Sequence, residues 1–246
     1  MSRSFNGTSN YLEYAGAVRT ALPITLSAWV YKNNTTDLDI AVAITTSSTA
    51  NRCGLAFTDY AKALCFYKNT SGDDGNVYST TSYAANTWNH GAAVLASSNS
   101  RSVYLNGGGA GTTTKNISTT VSEYNTTNIG TGYFSSVRGY IFGGKIAEVG
   151  IWGAALTAAE IASLAKGVSP LSIRPESLIA YWPLTGRTDP EIDLRGRYEM
   201  TVNGAVAADH PRVYMPAQPF YPRKVALAAS TVPVLYRQRQ MQGMAA

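Results

Sequence analysis

The chain has 246 residues, 45% of them hydrophobic and only 14% charged, against about 25% charged in an average soluble domain. That apolar share can fill a large core and excludes a largely disordered chain. No apolar run approaches the ~18 residues of a membrane helix. Residues 1–7 have no apolar h-region, so neither a membrane span nor a secretory signal is expected. The net charge is +5, and its placement is informative. After Asp209 there is no Asp or Glu, while Arg212, Arg223, Lys224, Arg237 and Arg239 account for the whole excess. A basic tail on a neutral body points to an acidic partner, with a merely solvated tail as the alternative. The body shows no basic stripe or nucleic-acid-binding motif, which argues against nucleic acid.

The predicted elements begin at residues 24–31. Ile24, Leu26, Ala28 and Val30 fall on one face; Thr25, Ser27, Trp29 and Tyr31 fall on the other. This is the period-two pattern of a strand. Residues 53–57 and 63–67 flank Asp59-Tyr60-Ala61-Lys62 and predict a hairpin. It holds the two cysteines, Cys53 and Cys65, which read as buried thiols in different registers, with a disulfide as the alternative. Trp88 leads into a strand over 91–96. The next strand, 102–105, ends in Asn106-Gly107, a turn signal because both residues tolerate positive φ. Gly107-Gly108-Gly109-Ala110-Gly111 lacks the Lys-Ser/Thr of a phosphate loop and reads as a loop.

Residues 145–152 predict a further strand, and one short helix follows. Thr157 caps it, Glu160 completes a capping box, and Leu156 and Ile161 stand at staple positions. Ile161, Leu164 and Ala165 make its apolar stripe and Gly167 ends it. The helix is expected to cover an edge or end of the fold. Residues 178–184 and 200–206 predict two more strands, the second interrupted at Gly204. Pro211, Pro216, Pro219, Pro222 and Pro233 exclude helix and interior strand, so residues 210–246 are expected to form an extended tail. Truncation after Asp209 is expected to leave the body folded. Many short strands and one helix specify an all-β sandwich or barrel.

The order of motifs carries a resemblance. It begins with Ser4-Phe5-Asn6-Gly7, Ile24-Thr25-Leu26-Ser27-Ala28-Trp29-Val30 and Trp88-Asn89-His90-Gly91-Ala92-Ala93-Val94. It continues with Val103-Tyr104-Leu105-Asn106-Gly107, Asn128-Ile129-Gly130, Gly144-Lys145-Ile146-Ala147-Glu148-Val149-Gly150-Ile151-Trp152 and Ala155-Leu156-Thr157-Ala158-Ala159-Glu160-Ile161. The chain thereby resembles the laminin-G-like branch of the concanavalin A-like lectin/glucanase superfamily. The resemblance implies a jelly-roll β-sandwich over residues 1–209. The segment 178–205 resembles one that commonly precedes the Phe-Asn-Gly strand in this family. Residues 170–209 are therefore expected to complete the sandwich in a permuted order, with a small separate module as the alternative. With its Pro-rich ending, the pattern is also similar to laminin-G-like proteins of tailed, especially marine, bacteriophages. That implies a non-enzymatic virion protein, a capsid decoration or head- or tail-fibre component assembled in the host cytoplasm. Such a protein is expected to form a homo-oligomer and to be anchored to other virion proteins through Arg212, Arg223, Lys224, Arg237 and Arg239. A carbohydrate-binding lectin or adhesin is the alternative, and a glycoside hydrolase ranks last.

Few residues support catalysis. Glucanases of the superfamily use a Glu-Ile-Asp-x-x-Glu run, with one acid as nucleophile and another as acid/base. Here Glu191-Ile192-Asp193 is followed by Arg195, Gly196 and Arg197 where the third acid belongs, and Asp193 reads instead as a turn residue accepting backbone hydrogen bonds. No Gly-x-Ser-x-Gly elbow is present, and His90 and His210 stand in unrelated contexts. No Cys/His cluster has zinc spacing, so no structural metal is expected. Calcium has two candidate oxygen sets, Asp37 with Asp39, and Asp73, Asp74 and Asn76, neither with the spacing of a calcium loop. Tyr133, Phe134 and Tyr140, in a loop-rich stretch, are the candidate glycan contacts, with packing as the alternative role.

Overall fold

The computed structural model describes residues 1–69, 74–117 and 121–215. The strands are β1 (Ser2–Asn6), β2 (Tyr11–Tyr14), β3 (Ile24–Lys32), β4 (Asp39–Thr45), β5 (Arg52–Phe57), β6 (Ala63–Lys68) and β7 (Val77–Tyr78). A meander follows of β8 (Trp88–Ser97), β9 (Ser100–Leu105) and β10 (Gly108–Thr113). Then come β11 (Thr126–Ile129) and the small hairpin of β12 (Gly132–Phe134) and β13 (Val137–Gly139). The long β14 (Gly143–Trp152) precedes the helix α1 (Ala158–Ala165), and the series closes with β15 (Leu178–Trp182), β16 (Thr201–Asn203) and β17 (Val206–Ala208).

These strands form an all-β jelly-roll sandwich of two antiparallel sheets. The first has the order β10-β9-β8-β3-β14-β1-β17, with β15 also on β14; the second has the order β16-β2-β11-β4-β5-β6-β7. One core lies between them. Ile24, Leu26, Ala28 and Val30 of β3 meet Val42 and Ile44 of β4 and Leu55 and Phe57 of β5 there. The alternation of β3 thus has its physical cause: one face is packed and the other carries Thr, Ser, Trp and Tyr. Cys53 and Cys65 are free thiols on the core side of neighbouring strands, Cys53 opposite Tyr67 and Cys65 opposite Leu55. Burial pushes both thiols up to about 12.

β14 takes three partners because it is long. β3 runs along one edge; along the other, β1 pairs with residues 143–146 and β15 with residues 149–152. A register shift at Glu148, whose φ is +55°, separates the two halves. The predicted strand at 200–206 is two short strands in two sheets, β16 on β2 and β17 on β1. Gly204 makes the crossing: its φ is +72° and a Cβ there would collide with Asn10. Residues 178–208 therefore add strands to both layers. The expected loop at 107–111 also differs, since Gly108–Thr113 pairs with β9 and a side chain at Gly111 would strike the backbone of Tyr78.

The helix covers a face of the first sheet rather than an edge or end of the sandwich. Ile161 and Leu164 pack with Ala92, Val94, Trp152, Leu178 and Tyr181 on the side away from the main core. The capping box between Thr157 and Glu160 is formed. Past β17, residues 210–215 run as a strap on this body. Tyr214 N donates to Gly167 O at 2.8 Å, and Ser169 N donates to Tyr214 O at 2.9 Å, in a parallel bridge. The expected start of the tail at residue 210 thus falls within packed chain. Arg212 is exposed on the strap; Arg223, Lys224, Arg237 and Arg239 lie outside the described residues. Among the described residues, no helix is long and apolar enough to cross a membrane.

Candidate functional site

The outer face of the second sheet holds a concave feature lined by both apolar and charged side chains. Period-two alternation sends Arg52, Gly54 and Ala56 of β5, and Leu64, Phe66 and Lys68 of β6, away from the core. Ile40, Ala43, Ala56, Leu64 and Phe66 form an apolar patch there, with Leu38 and Phe134 packed against it. Gly54 is required by this arrangement, because a Cβ would collide with the ring of Phe66 and with Val42 O. The β12–β13 hairpin folds over part of the patch, and Ser136 Oγ reaches Ser48 O at 3.4 Å on the loop beyond β4.

Between hairpin and sheet lies a cleft of about 140 Å³. Ile40, Leu64 and Phe66 contribute its apolar lining on the sheet side, and Phe134 and Tyr140 contribute aromatic walls. Tyr140 is 49% exposed and meets Phe134 edge-on, with centroids 4.6 Å apart. The polar lining comes from Arg52, Lys68, Asp74 and Asn76. The Arg52 guanidinium lies over the Phe134 ring, 4.3 Å from its centroid, and its Nη1 donates to Ala50 O at 3.0 Å. Burial lowers the pKa of Arg52, an effect opposed by nearby Tyr140 and Asp74. Asp74 Oδ1 accepts from Asn76 N at 3.2 Å.

Of the three aromatics expected to contact glycan, the structure brings Phe134 and Tyr140 together and sends Tyr133 elsewhere. The Tyr133 hydroxyl accepts from Arg138 Nη2 at 2.9 Å, and its ring lies 4.4 Å from that guanidinium. Arg138 also stacks on Tyr11, donates to Asn128 Oδ1 at 3.0 Å and pairs with Glu13. That side of the hairpin is a structural clamp onto β2 and β11. Sequence reasoning missed Arg52, Leu64 and Phe66. The available signal was the unbroken apolar run Ala63-Leu64-Cys65-Phe66-Tyr67, which requires cover on both faces of β6.

The other candidate residues are engaged in structure. Asp193 accepts four backbone N–H groups: Tyr181 at 2.8 Å and Arg195 at 2.9 Å on Oδ1, Arg197 at 3.1 Å and Tyr198 at 3.2 Å on Oδ2. Glu191 is buried against Arg3, which donates from Nε at 2.8 Å. His90 is buried with Nε2 2.8 Å from Ser27 Oγ, and burial pushes its pKa down to about 3, so the ring is neutral. His210 is on the strap, its Nε2 3.1 Å from Glu148 Oε1, while the Tyr181 hydroxyl donates to Glu148 Oε2 at 2.6 Å.

Of the candidate calcium residues, Asp37 and Asp39 do not fit the ion. Lys32 is fully buried, with its Nζ 2.9 Å from Asp39 Oδ2 and 3.1 Å from Asn34 Oδ1, so an ammonium already neutralises Asp39. Burial raises the Asp39 pKa, and the hydrogen bonds from Lys32 and Gly143 oppose that. Asp37 accepts from Asn34 Nδ2 at 2.9 Å. Asp73 lies outside the described residues. Among the described residues, no three His, Cys, Asp or Glu side chains gather to hold a metal.

A laminin-G family model described as concanavalin A-like lectin/glucanases superfamily matches residues 6–162. No curated protein matches the chain. Among solved structures, the chain is similar to the CBM40 of the Ruminococcus gnavus IT-sialidase bound to alpha2,3 sialyllactose. The TM-score is 0.56 at 13% identity, covering 67% of this chain and 98% of that one. It is also similar to domain 4 of AbnA, a GH43 extracellular arabinanase from Geobacillus stearothermophilus, in complex with arabinotriose. Here the TM-score is 0.55 at 18% identity, over 67% and 76% of the two chains. The heptameric SAP-like pentraxin from Limulus polyphemus matches at a TM-score of 0.50 and 15% identity, over 67% and 81%. At these identities the likeness is one of fold.

Proposed function

Because the chain belongs to the concanavalin A-like lectin/glucanases superfamily, we propose that it is a lectin-like, non-enzymatic binding protein holding a sugar of a glycan in the cleft beside Phe134 and Tyr140. The observation that carries this reading is the juxtaposition of two aromatic walls with a mixed polar lining in one partly open cleft. Sugar rings present C–H faces to aromatic rings and hydroxyls to polar groups, which is the composition of such a pocket. Two proteins of similar fold were solved with an oligosaccharide bound, sialyllactose in one and arabinotriose in the other. The non-enzymatic part is supported by the engagement of Glu191, Asp193 and His90 in buried structural bonds. Calorimetric titration of a panel of oligosaccharides into the full chain tests the reading. Binding to at least one glycan should weaken about tenfold or more in Tyr140→Ala and Phe134→Ala, and remain unchanged in Tyr133→Phe. A panel without a binder, or a binder indifferent to both alanines, would overturn it.

A second reading places the chain in a virion, as a homo-oligomeric decoration or fibre component anchored to other virion proteins by its basic end. It is favoured by one sequence observation: the acid-free stretch after Asp209 that carries Arg212, Arg223, Lys224, Arg237 and Arg239. The two readings are compatible, since a particle protein can bind glycans. Mass spectrometry of density-purified particles is the test; a fixed copy ratio to the shell protein supports this reading, and absence from the particles removes it.

A further inference from the structure

We propose that the cleft selects a carboxylate-bearing sugar and that Arg52 recognises its carboxylate. The inference rests on the glycan-binding reading above and names the class of sugar. Arg52 uses Nη1 on Ala50 O, while its Nε and Nη2 have no hydrogen-bond or ion-pair partner among the described residues. These two nitrogens form the edge of a guanidinium that takes a planar carboxylate side-on through two parallel hydrogen bonds. Stacking on Phe134 at 4.3 Å, together with the tether to Ala50, fixes the plane of that fork before any ligand arrives. Among the described residues the buried side-chain polar atoms without a partner are His90 Nδ1 and the Tyr124 hydroxyl, so the two Arg52 nitrogens are open to solvent and to a ligand.

The charge balance of the cleft agrees. Its charged lining groups are Arg52, Lys68 and Asp74, two cations to one carboxylate. Lys68 has no ion-pair partner among the described residues, and Asp74 directs Oδ1 to Asn76 N. An acidic sugar would balance the site. Its ring can lie against Phe134 or Tyr140 while its carboxylate meets Arg52, so the aromatic wall and the cation act on one residue of the glycan. A neutral sugar would engage the wall and leave the fork empty.

The test is calorimetric titration of the full chain with lactose, 3′-sialyllactose, a glucuronate-terminated disaccharide and its glucose-terminated counterpart, and a sulfated galactoside. At least one carboxylated sugar should bind about tenfold tighter than its neutral match, the scale of one charge-assisted pair. Added NaCl should narrow the gap. Arg52→Lys keeps a cation but lacks the fork, and Arg52→Gln removes both. In each, the ratio of acidic to neutral affinity should fall to near one, and that ratio is the readout because Arg52 also contacts the Phe134 wall. Equal affinity for acidic and neutral sugars overturns the carboxylate assignment and leaves the glycan reading standing. Preference for the sulfated galactoside over both carboxylated sugars overturns it as well. Failure of every sugar overturns both.

Discussion

Lys32 and Asp39 show what a buried pair demands of its surroundings. The ammonium is wholly out of solvent and the carboxylate nearly so, joined at 2.9 Å. Removing one partner leaves the other charged and unpaired, which costs about 3–5 kcal/mol in such sites. Lys32→Met should therefore lose about that much stability at pH 7 in urea unfolding. The pH dependence follows from the Asp39 pKa, already raised from 3.8 by burial and raised further once Lys32 is gone. Stability tied to a raised carboxyl is present while the group is protonated and is lost as pH rises through its folded-state value. The deficit of Lys32→Met relative to the parent should thus shrink as pH falls from 7 toward 3.8; a constant deficit would show that the pair is not its cause. Asp193 makes the opposite case, a charge satisfied by backbone. Asp193→Asn sets an amide against two of its four donors, and a loss of about 2–3 kcal/mol is expected in the same assay; a change under about 0.5 kcal/mol would refute the role. Asp193 was readable in sequence because its turn is local. The Lys32–Asp39 pair was not, because nothing in the spacing tells that the two side chains meet inside.

At the scale of elements, the β12–β13 hairpin governs the cleft, since Phe134 belongs to it and Tyr140 follows it. Its two-residue turn, Ser135-Ser136, has φ of +52° and +74°, the region that favours Asn-Gly in this turn type. Ser136→Gly should raise the unfolding free energy by about 0.5–1 kcal/mol by relieving that conformation. The melting temperature checks it, and a fall would mean that the Ser136 contact with Ser48 outweighs the backbone effect. The helix α1 was legible because capping box, staple and stripe are all encoded within a dozen residues. The hairpin was not: its strands are three residues each, too short for a period to show. The three aromatics were found by composition, but only tertiary packing separates Phe134 and Tyr140, on the cleft, from Tyr133, clamped by Arg138.

For the molecule as a whole, the strap over residues 210–215 revises where the folded body ends. Buried Glu148 receives both the Tyr181 hydroxyl and His210, and Tyr214 bridges to the segment after the helix. A chain ending at Met215 keeps these strap contacts. One ending at Asp209 should lose about 1–3 kcal/mol, since Glu148 then loses a partner and the Gly167 and Ser169 bonds are gone. Equal stability of the two truncations would show that the strap adds nothing. The sandwich class was readable from the number and alternation of its strands. The layer of each late strand was not: β16 and β17 are three residues apart in sequence yet sit in opposite sheets, and Gly204 alone marks the switch.

The first strand closes against the last strand of the described residues. β1 pairs with β17, Arg3 Nη1 donates to Ala205 O at 2.7 Å across 202 residues of chain, and Ser2 Oγ donates to Asp209 O. During synthesis the N-terminal edge therefore leaves the ribosome with its partner still untranslated, and Arg3 waits for Glu191 before it can be buried. Contacts this distant in sequence belong to a slow folding regime in which loop closure precedes reward. Until residue 208 emerges, the open edge of β1 is a strand seeking a neighbour, and another copy of the nascent chain is the nearest wrong one.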